Sequence, residues 1–379
     1  MRVYMDYSSD RNHGSPLTMT KRLPGLALTF VTLAAACLGP TPDAGPPAAV
    51  VVTPRWVALV QGDSTRLAAA PPSAVLWSSD APAVATVDQR GVVRARAEGL
   101  ASITATRDSG SAVAQIVVSP AVLVGAGDIA DCGYDDDEAT AKLLDAIPGV
   151  VFTAGDDAYS SGTTQQFTAC YQPTWGRQRQ RTRPAPGNHD YGTPGASGYY
   201  HYYGFLAGDS GIGYYSYDVG GWHIISLNSN VSMAAGSTQE QWLRADLSLH
   251  PVSCILAYWH HPRFSSGEHG SSTDPEPLWQ ALYDANADLI LSGHDHIYER
   301  FAPQTPTGVR DTVRGIREFV VGTGGADLYQ FPTNSPNSEV RNNTTHGVIK
   351  LTLRARGYDW EFVPVAGGTF RDSGSGKCH

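Results

Sequence analysis

Five short runs in the second two-thirds of the chain each stop at a polar turn carrying a carboxylate, a carboxamide or an imidazole. AVLVGAGDIAD stops on Asp128, GVVFTAGDDAY on Asp156 and Tyr159, and RTRPAPGNHDY on Asn188, His189 and Asp190. CILAYWHHPRF then stops on His260 and His261, and ADLILSGHDHIYE on His294 and His296. Apolar runs of this length without alternation read as strands buried on both faces. Helical stretches over 137–147, 239–249 and 277–285 separate them, which makes this half a layered α/β domain with helices covering its sheets. Ligand sites in such sheets form at the carboxyl ends of the strands, where every unusual polar residue of this half falls.

Taken singly, each block has a plain reading. A Gly-Asp after a strand is most often a turn former, an Asn-His pair ordinary loop polarity, and a buried histidine a satisfied core residue. His294 and His296 are more specific, because imidazoles at i and i+2 of one turn reach neighbouring points. Together the five ends aim oxygen and nitrogen donors, without thiolates, at one crevice. That set suits divalent or trivalent ions of borderline hardness. About seven donors exceed what one tetrahedral ion uses, so two ions sharing a carboxylate fit better than one.

GDIAD, GDDAY, GNHD, HHP and GHDHIYER resemble, in the same order, the motifs of the calcineurin-like metallophosphoesterases, and specifically the purple acid phosphatase branch. The resemblance spans about residues 120–370 and implies a four-layer α/β/β/α sandwich. It implies that Asp128, Tyr159 and His296 bind one ion, that Asn188, His260 and His294 bind the other, and that Asp156 bridges them. In this branch the tyrosine holds a ferric ion beside a divalent one (Zn, Mn or Fe). His189 would orient the phosphate and protonate the leaving oxygen as general acid. His261 is expected to touch the substrate phosphate, with plain packing the other reading. Roles for Glu268 and His269 stay open, while Glu299 and Arg300 are assigned structural support. Asp157 stands where Asn is common in the family, which puts a further negative charge beside the bridge. The expected reaction is hydrolysis of a phosphate monoester by a metal-activated hydroxide. A phosphodiesterase on the same ions, or a surface adhesin that has lost catalysis, are the alternatives.

Upstream, residues 49–119 change grammar. Short β-branched runs recur every eight to twelve residues, with period-2 alternation at 84–87 and 103–106. The stretch WSSDAPAVATVDQRGVVRARAEGLASITAT resembles a bacterial immunoglobulin-like group 2 domain, in which Trp77 would be the core tryptophan. The expected architecture is therefore an all-β sandwich over 49–119 followed by the α/β domain over 120–379. No cluster of titratable side chains marks the first part, whose expected task is spacing or adhesion.

Residues 1–36 read as an N-terminal extension and export signal, with Lys21-Arg22 before an apolar stretch from Leu23 to Ala36 that is too short to span a bilayer. Cys37 follows in a fair lipobox-like context and opens a Gly/Pro-rich linker over 37–48, so a lipid anchor at Cys37 is expected, with an ordinary signal peptide and a secreted product as the alternative. Four further cysteines suit an oxidising compartment and allow three pairings. Cys132 with Cys170 and Cys254 with Cys378 is the favoured one; Cys254 as a buried thiol is the alternative. A net charge of −9, with its 4 Lys and 23 Arg scattered, excludes nucleic acid as a dedicated partner. The tyrosines at 199–203 and 214–215 read first as core filler and second as a wall of the substrate cleft. His223, His250 and His346 read as structural.

Overall fold

The computed structural model describes residues 49–379 apart from 73, 74 and 109. The expected leader, the anchor cysteine Cys37 and the linker 37–48 lie outside the described residues.

Strands buried on both faces organise the larger part. Val122–Ala126 pairs in parallel with Val150–Ala154, which pairs in parallel with Thr182–Ala185. On its other side Val122–Ala126 runs antiparallel to Gly347–Arg354, and Gly357–Pro364 and Ser373–Lys377 complete a six-stranded sheet. A second sheet, of seven strands, has four parallel strands at its centre: Trp222–Ser226, Ile255–Tyr258, Leu289–Ser292 and Arg317–Val321. Antiparallel strands flank them, Tyr215–Val219 on one side and Tyr298–Phe301 with Ser338–Asn342 on the other.

Neighbouring residues of the second sheet go to opposite cores, as the two-residue period of a strand requires. Ile224, Leu256, Tyr258, Leu291 and Val321 join the buried cluster that contains Leu123 and Phe152 of the first sheet. Ile225, Ile255, Ala257, Ile290 and Val320 instead meet Leu243 and Leu247 of the helix Thr238–Leu249 and Leu278 and Trp279 of the helix Glu276–Asp284. Both faces are therefore dry, which is why ILAY and LILS show no polar alternation. The helix Asp136–Ala146 covers the first sheet, sinking Thr140, Ala141 and Leu144. The layers run helix, sheet, sheet, helix. Ser237 starts one of these helices by accepting from the backbone N–H of Glu240, whose charge sits in the first turn.

The N-terminal part is an immunoglobulin-like sandwich. One sheet holds Trp56–Leu59, Gly110–Val118, Gly99–Arg107 and Leu76–Ser79; the other holds Ser64–Arg66, Val92–Ala95 and Ala85–Val87. Trp77, Leu67, Val93, Ile103 and Ile116 pack between them. This sandwich packs directly against the α/β part. Trp56, Ala58 and Val117 are buried in the same cluster as Val122, Tyr217 and Val219 of the α/β part.

Both disulfides form in the favoured pairing, Cys132–Cys170 and Cys254–Cys378, so Cys254 is no free thiol. Tyr199, Tyr200 and Tyr203 are buried, and the rings of Tyr199 and Tyr203 pack on Phe167. These three are core, in line with the first reading of the stretch.

Candidate metal centre

The strand ends do converge. Val122–Ala126 runs out into Gly127-Asp128, whose backbone N–H donates to Gly155 at the end of the next parallel strand (3.0 Å). Asp128, Asp156 and His294 all hold positive φ (61°, 56° and 70°), a left-handed conformation that non-glycine residues adopt at a cost of about 1–2 kcal/mol each. Three such residues meeting at one point mark backbone bent to aim side chains. The flanking glycines permit the approach: a Cβ on Gly293 would stand 2.6 Å from Oδ2 of Asp128, and one on Gly155 2.6 Å from Nδ1 of His260.

Two groups of donor atoms share one oxygen. Around the phenol oxygen of Tyr159 lie Oδ1 of Asp128 (2.9 Å), Nε2 of His296 (3.0 Å) and Oδ2 of Asp156 (3.2 Å). Around Nε2 of His260 lie Oδ1 of Asn188 (3.0 Å), the same Oδ2 of Asp156 (3.1 Å) and Nδ1 of His294 (3.2 Å). The Nδ1 atoms of His260 and His296 face the carbonyls of Ala154 (2.8 Å) and Asp327 (2.7 Å), so each ring carries its proton there and turns Nε2 inward. The first group thus has one phenol proton for three acceptors, and the second crowds two oxygens and two imidazole nitrogens together. Buried acceptors in such excess fit a cation. All seven residues assigned as ligands from the sequence are brought together here.

The electrostatics point the same way. Burial pushes the carboxyl of Asp156 up, but His260 and His189 outweigh it and hold it below its usual range. Burial would push the imidazole of His260 down, yet the carboxylates of Asp156 and Asp128 hold it up at about 9. Burial drives the Tyr159 phenol well above 10, helped by Asp128 and Asp156. The pocket calls for positive charge, which a proton on His260 supplies in part and a metal ion would supply better.

Around this core, His189 lies over the ring of Tyr159 (centroids 4.6 Å apart), with Nδ1 held by the carbonyl of Ser160 at 2.6 Å and Nε2 4.0 Å from Asp156. His261 shares Nδ1 with Oγ of Ser229 (2.8 Å), and burial together with His260 pushes its imidazole down to about 3. Its ligating atom lies within 4.8 Å of those of His260 and His294. The exposed ring of His269 stacks on His294 at 4.1 Å.

Three contributors were given no role from the sequence, although Asp190 was named there among the strand-end residues. Tyr329 stacks on His296 at 3.8 Å. Asp190 accepts from the backbone N–H groups of Asp156 (3.0 Å) and Gly187 (2.8 Å), tying two strand ends together. Asp295, between His294 and His296, accepts from the N–H of His269 (2.8 Å) and so holds that loop in place. The GNHD and GHDH turns contained the second and third of these, since each aspartate neighbours a donor. Burial, reinforced by Asp190, pushes the carboxyl of Asp157 well above its usual range.

Comparison with known proteins fits this geometry. Residues 48–118 match the bacterial Ig-like domain (group 2) family, and residues 113–298 match the calcineurin-like phosphoesterase family. This chain carries a calcineurin-like phosphoesterase domain. Among relatives of that domain, purple acid phosphatase 15 of Arabidopsis thaliana is 26% identical over 204 residues, covering 44% of this chain and 38% of the plant protein. Purple acid phosphatase 22 of the same plant is 36% identical over 151 residues, covering 36% and 34%. The chain thus spans well under half the length of the plant relatives it matches. Among solved structures, the purple acid phosphatase PPD1 of yellow lupin shares the phosphoesterase fold with a TM-score of 0.56 at 18% identity, over 83% of this chain and 68% of that one. GAP50 of Plasmodium, an anchor in the inner membrane complex, shares it with a TM-score of 0.53 at 16% identity, over 68% and 89%.

Proposed function

We propose that this chain is an exported, binuclear metal-dependent phosphohydrolase that cleaves phosphate monoesters. The observation that carries the reading is Oδ2 of Asp156, placed within 3.2 Å of Tyr159 and 3.1 Å of His260, one from each donor group. Asp128, Tyr159 and His296 would hold one ion, a ferric one given the phenolate. Asn188, His260 and His294 would hold a divalent partner, with Asp156 shared. Such a pair supplies Lewis acidity, neutralising phosphate oxygens and acidifying water.

The chain's own groups do the rest. His189, fixed through Nδ1 by Ser160, keeps Nε2 free to deliver a proton to the leaving oxygen. His269, exposed on a loop anchored by Asp295, and His261, anchored by Ser229, orient the phosphate. Tyr329 covers His296 and keeps bulk water from that side of the donor group. A chain without catalysis would have no use for a buried carboxylate held between two donor groups, which weighs against the adhesin reading. The two disulfides favour export, and the apolar stretch before Cys37 favours a lipid tether.

The test is metal analysis and a visible spectrum of the purified protein, with rates on nitrophenyl phosphate and its bis ester. Two ions per chain, a tyrosinate–iron band absent from Tyr159→Phe, and faster cleavage of the monoester are expected. A colourless, fully active enzyme would reject iron at Tyr159. A preference for the bis ester would make the protein a phosphodiesterase, and no hydrolysis after refolding with iron plus zinc or manganese would leave the adhesin.

A further inference from the structure

Arg183, in the strand Thr182–Ala185, is 5% exposed, and its Nε and Nη1 have no hydrogen-bond partner among the described residues. Three aromatic rings hold the guanidinium instead: Tyr215 at 4.1 Å, Trp56 at 4.9 Å and Tyr217 at 5.2 Å from its carbon. A buried cation with two unpartnered nitrogens depends on such faces. Two of the rings belong to the second sheet of the α/β domain. The third comes from the immunoglobulin-like sandwich, where Trp56 is 6% exposed, donates its indole N–H to the carbonyl of Gln180 (3.2 Å) and meets Tyr217 edge-on at 5.5 Å.

The clamped strand leads straight to the metal centre. Beyond Arg183 the chain reads Pro184-Ala185-Pro186-Gly187-Asn188-His189. Its two prolines leave little slack, and its carbonyls are pinned in turn. Arg183 accepts from Tyr258 (2.8 Å), Pro184 from Tyr215 (2.7 Å) and Pro186 from Asn230 (3.0 Å). Tyr258 also shares a hydrogen bond with Tyr217, the ring that Trp56 touches (3.1 Å).

We propose that Trp56 is a positioning residue for the metal centre: by closing the aromatic box around Arg183 it sets where Asn188 and His189 stand. The immunoglobulin-like domain thereby contributes to the site without touching it. The proposal rests on the dimetal reading above.

The test uses the full chain loaded with its two ions and follows their release against a graded chelator. Trp56→Ala should release the ion held by Asn188, His260 and His294 about tenfold more readily, the low end for loss of an outer-shell support. The other ion should be unaffected, and Trp56→Phe should restore retention. Arg183→Met, which removes the clamped cation and keeps its length, should behave like Trp56→Ala and serves if that variant does not fold. Trp77→Leu, in the core of the same sandwich but away from Arg183, provides the control for general loosening. Unchanged release in Trp56→Ala and Arg183→Met, or equal release in Trp77→Leu at matched melting temperature, would overturn the proposal and leave the dimetal reading standing. A wild-type chain that binds no metal would remove both.

Discussion

On the proposed reading, Asp156 would share one oxygen between two ions, unlike every other donor. Replacing it with Ala should weaken both ions at once and cut hydrolysis more than about 100-fold, beyond the usual cost of losing a supporting group. Asn188→Ala should loosen one ion and leave the other in place. Counting metal per chain after dialysis separates the two outcomes; a single ion retained by Asp156→Ala would deny the bridge. His223 makes a second residue-level case. Burial alone would push its imidazole down from 6.5, but hydrogen bonds to Asp218 (2.9 Å) and Asp246 (2.8 Å) outweigh it and hold it at about 9. Because the folded value is the higher one, its stabilisation is complete below pH 6.5 and fades as pH rises through about 9. Discounted for the exposure of Asp218, it is worth roughly 1–3 kcal/mol. Urea midpoints of the wild type and His223→Gln should therefore differ at pH ~6 and converge near pH ~10. The donors themselves were legible in the sequence because each follows a strand-ending glycine, closes an apolar run, or lies two or three residues further along the same turn. Tyr329 was not, because nothing local to it signals that the loop after Val321 folds back onto His296.

At the scale of elements, period and turn chemistry carried most of the reading. The helices expected over 137–147 and 239–249 form as Asp136–Ala146 and Thr238–Leu249. What period could not show is the order of strands, since pairing Val122–Ala126 with Gly347–Arg354 joins segments more than two hundred residues apart. That same sheet ends in Ser373–Lys377, a Gly- and Ser-rich strand with little apolar surface of its own. Gly374 and Gly376 let it lie against the rings of Trp360 and Tyr358, and Cys378 ties it to Cys254 across 124 residues. Loss of a closure of this length costs about 2–5 kcal/mol. Cys254→Ser with Cys378→Ser should therefore lower the melting temperature by roughly 5 °C or more, and the tail should become protease-sensitive first. A tail that remains resistant in the double variant would show that the strand holds by its ladder alone.

For the whole molecule, the distribution of buried surface decides how the two parts unfold. Domains joined by a small polar contact melt independently, whereas those that share a core melt together. Here Trp56, Ala58 and Val117 of the sandwich enter the cluster that includes Val122 and Tyr217, and Arg55 lies over Phe205 at 4.5 Å. The link between the parts is short as well, since one domain's last strand ends at Val118 and the next begins at Val122. Neither the alternation at 103–106 nor the apolar runs of the second half announce this contact, because Trp56 reads as one more inward residue of a short strand. Calorimetry of the full chain should show a single transition. Trp56→Ala, by emptying the centre of the shared cluster, should cost about 3–5 kcal/mol and separate the sandwich as an earlier, smaller transition. Two transitions already resolved in the wild type would mean that the shared cluster does not couple the domains. The clamp on Arg183 would then lack the rigidity it needs to position Asn188.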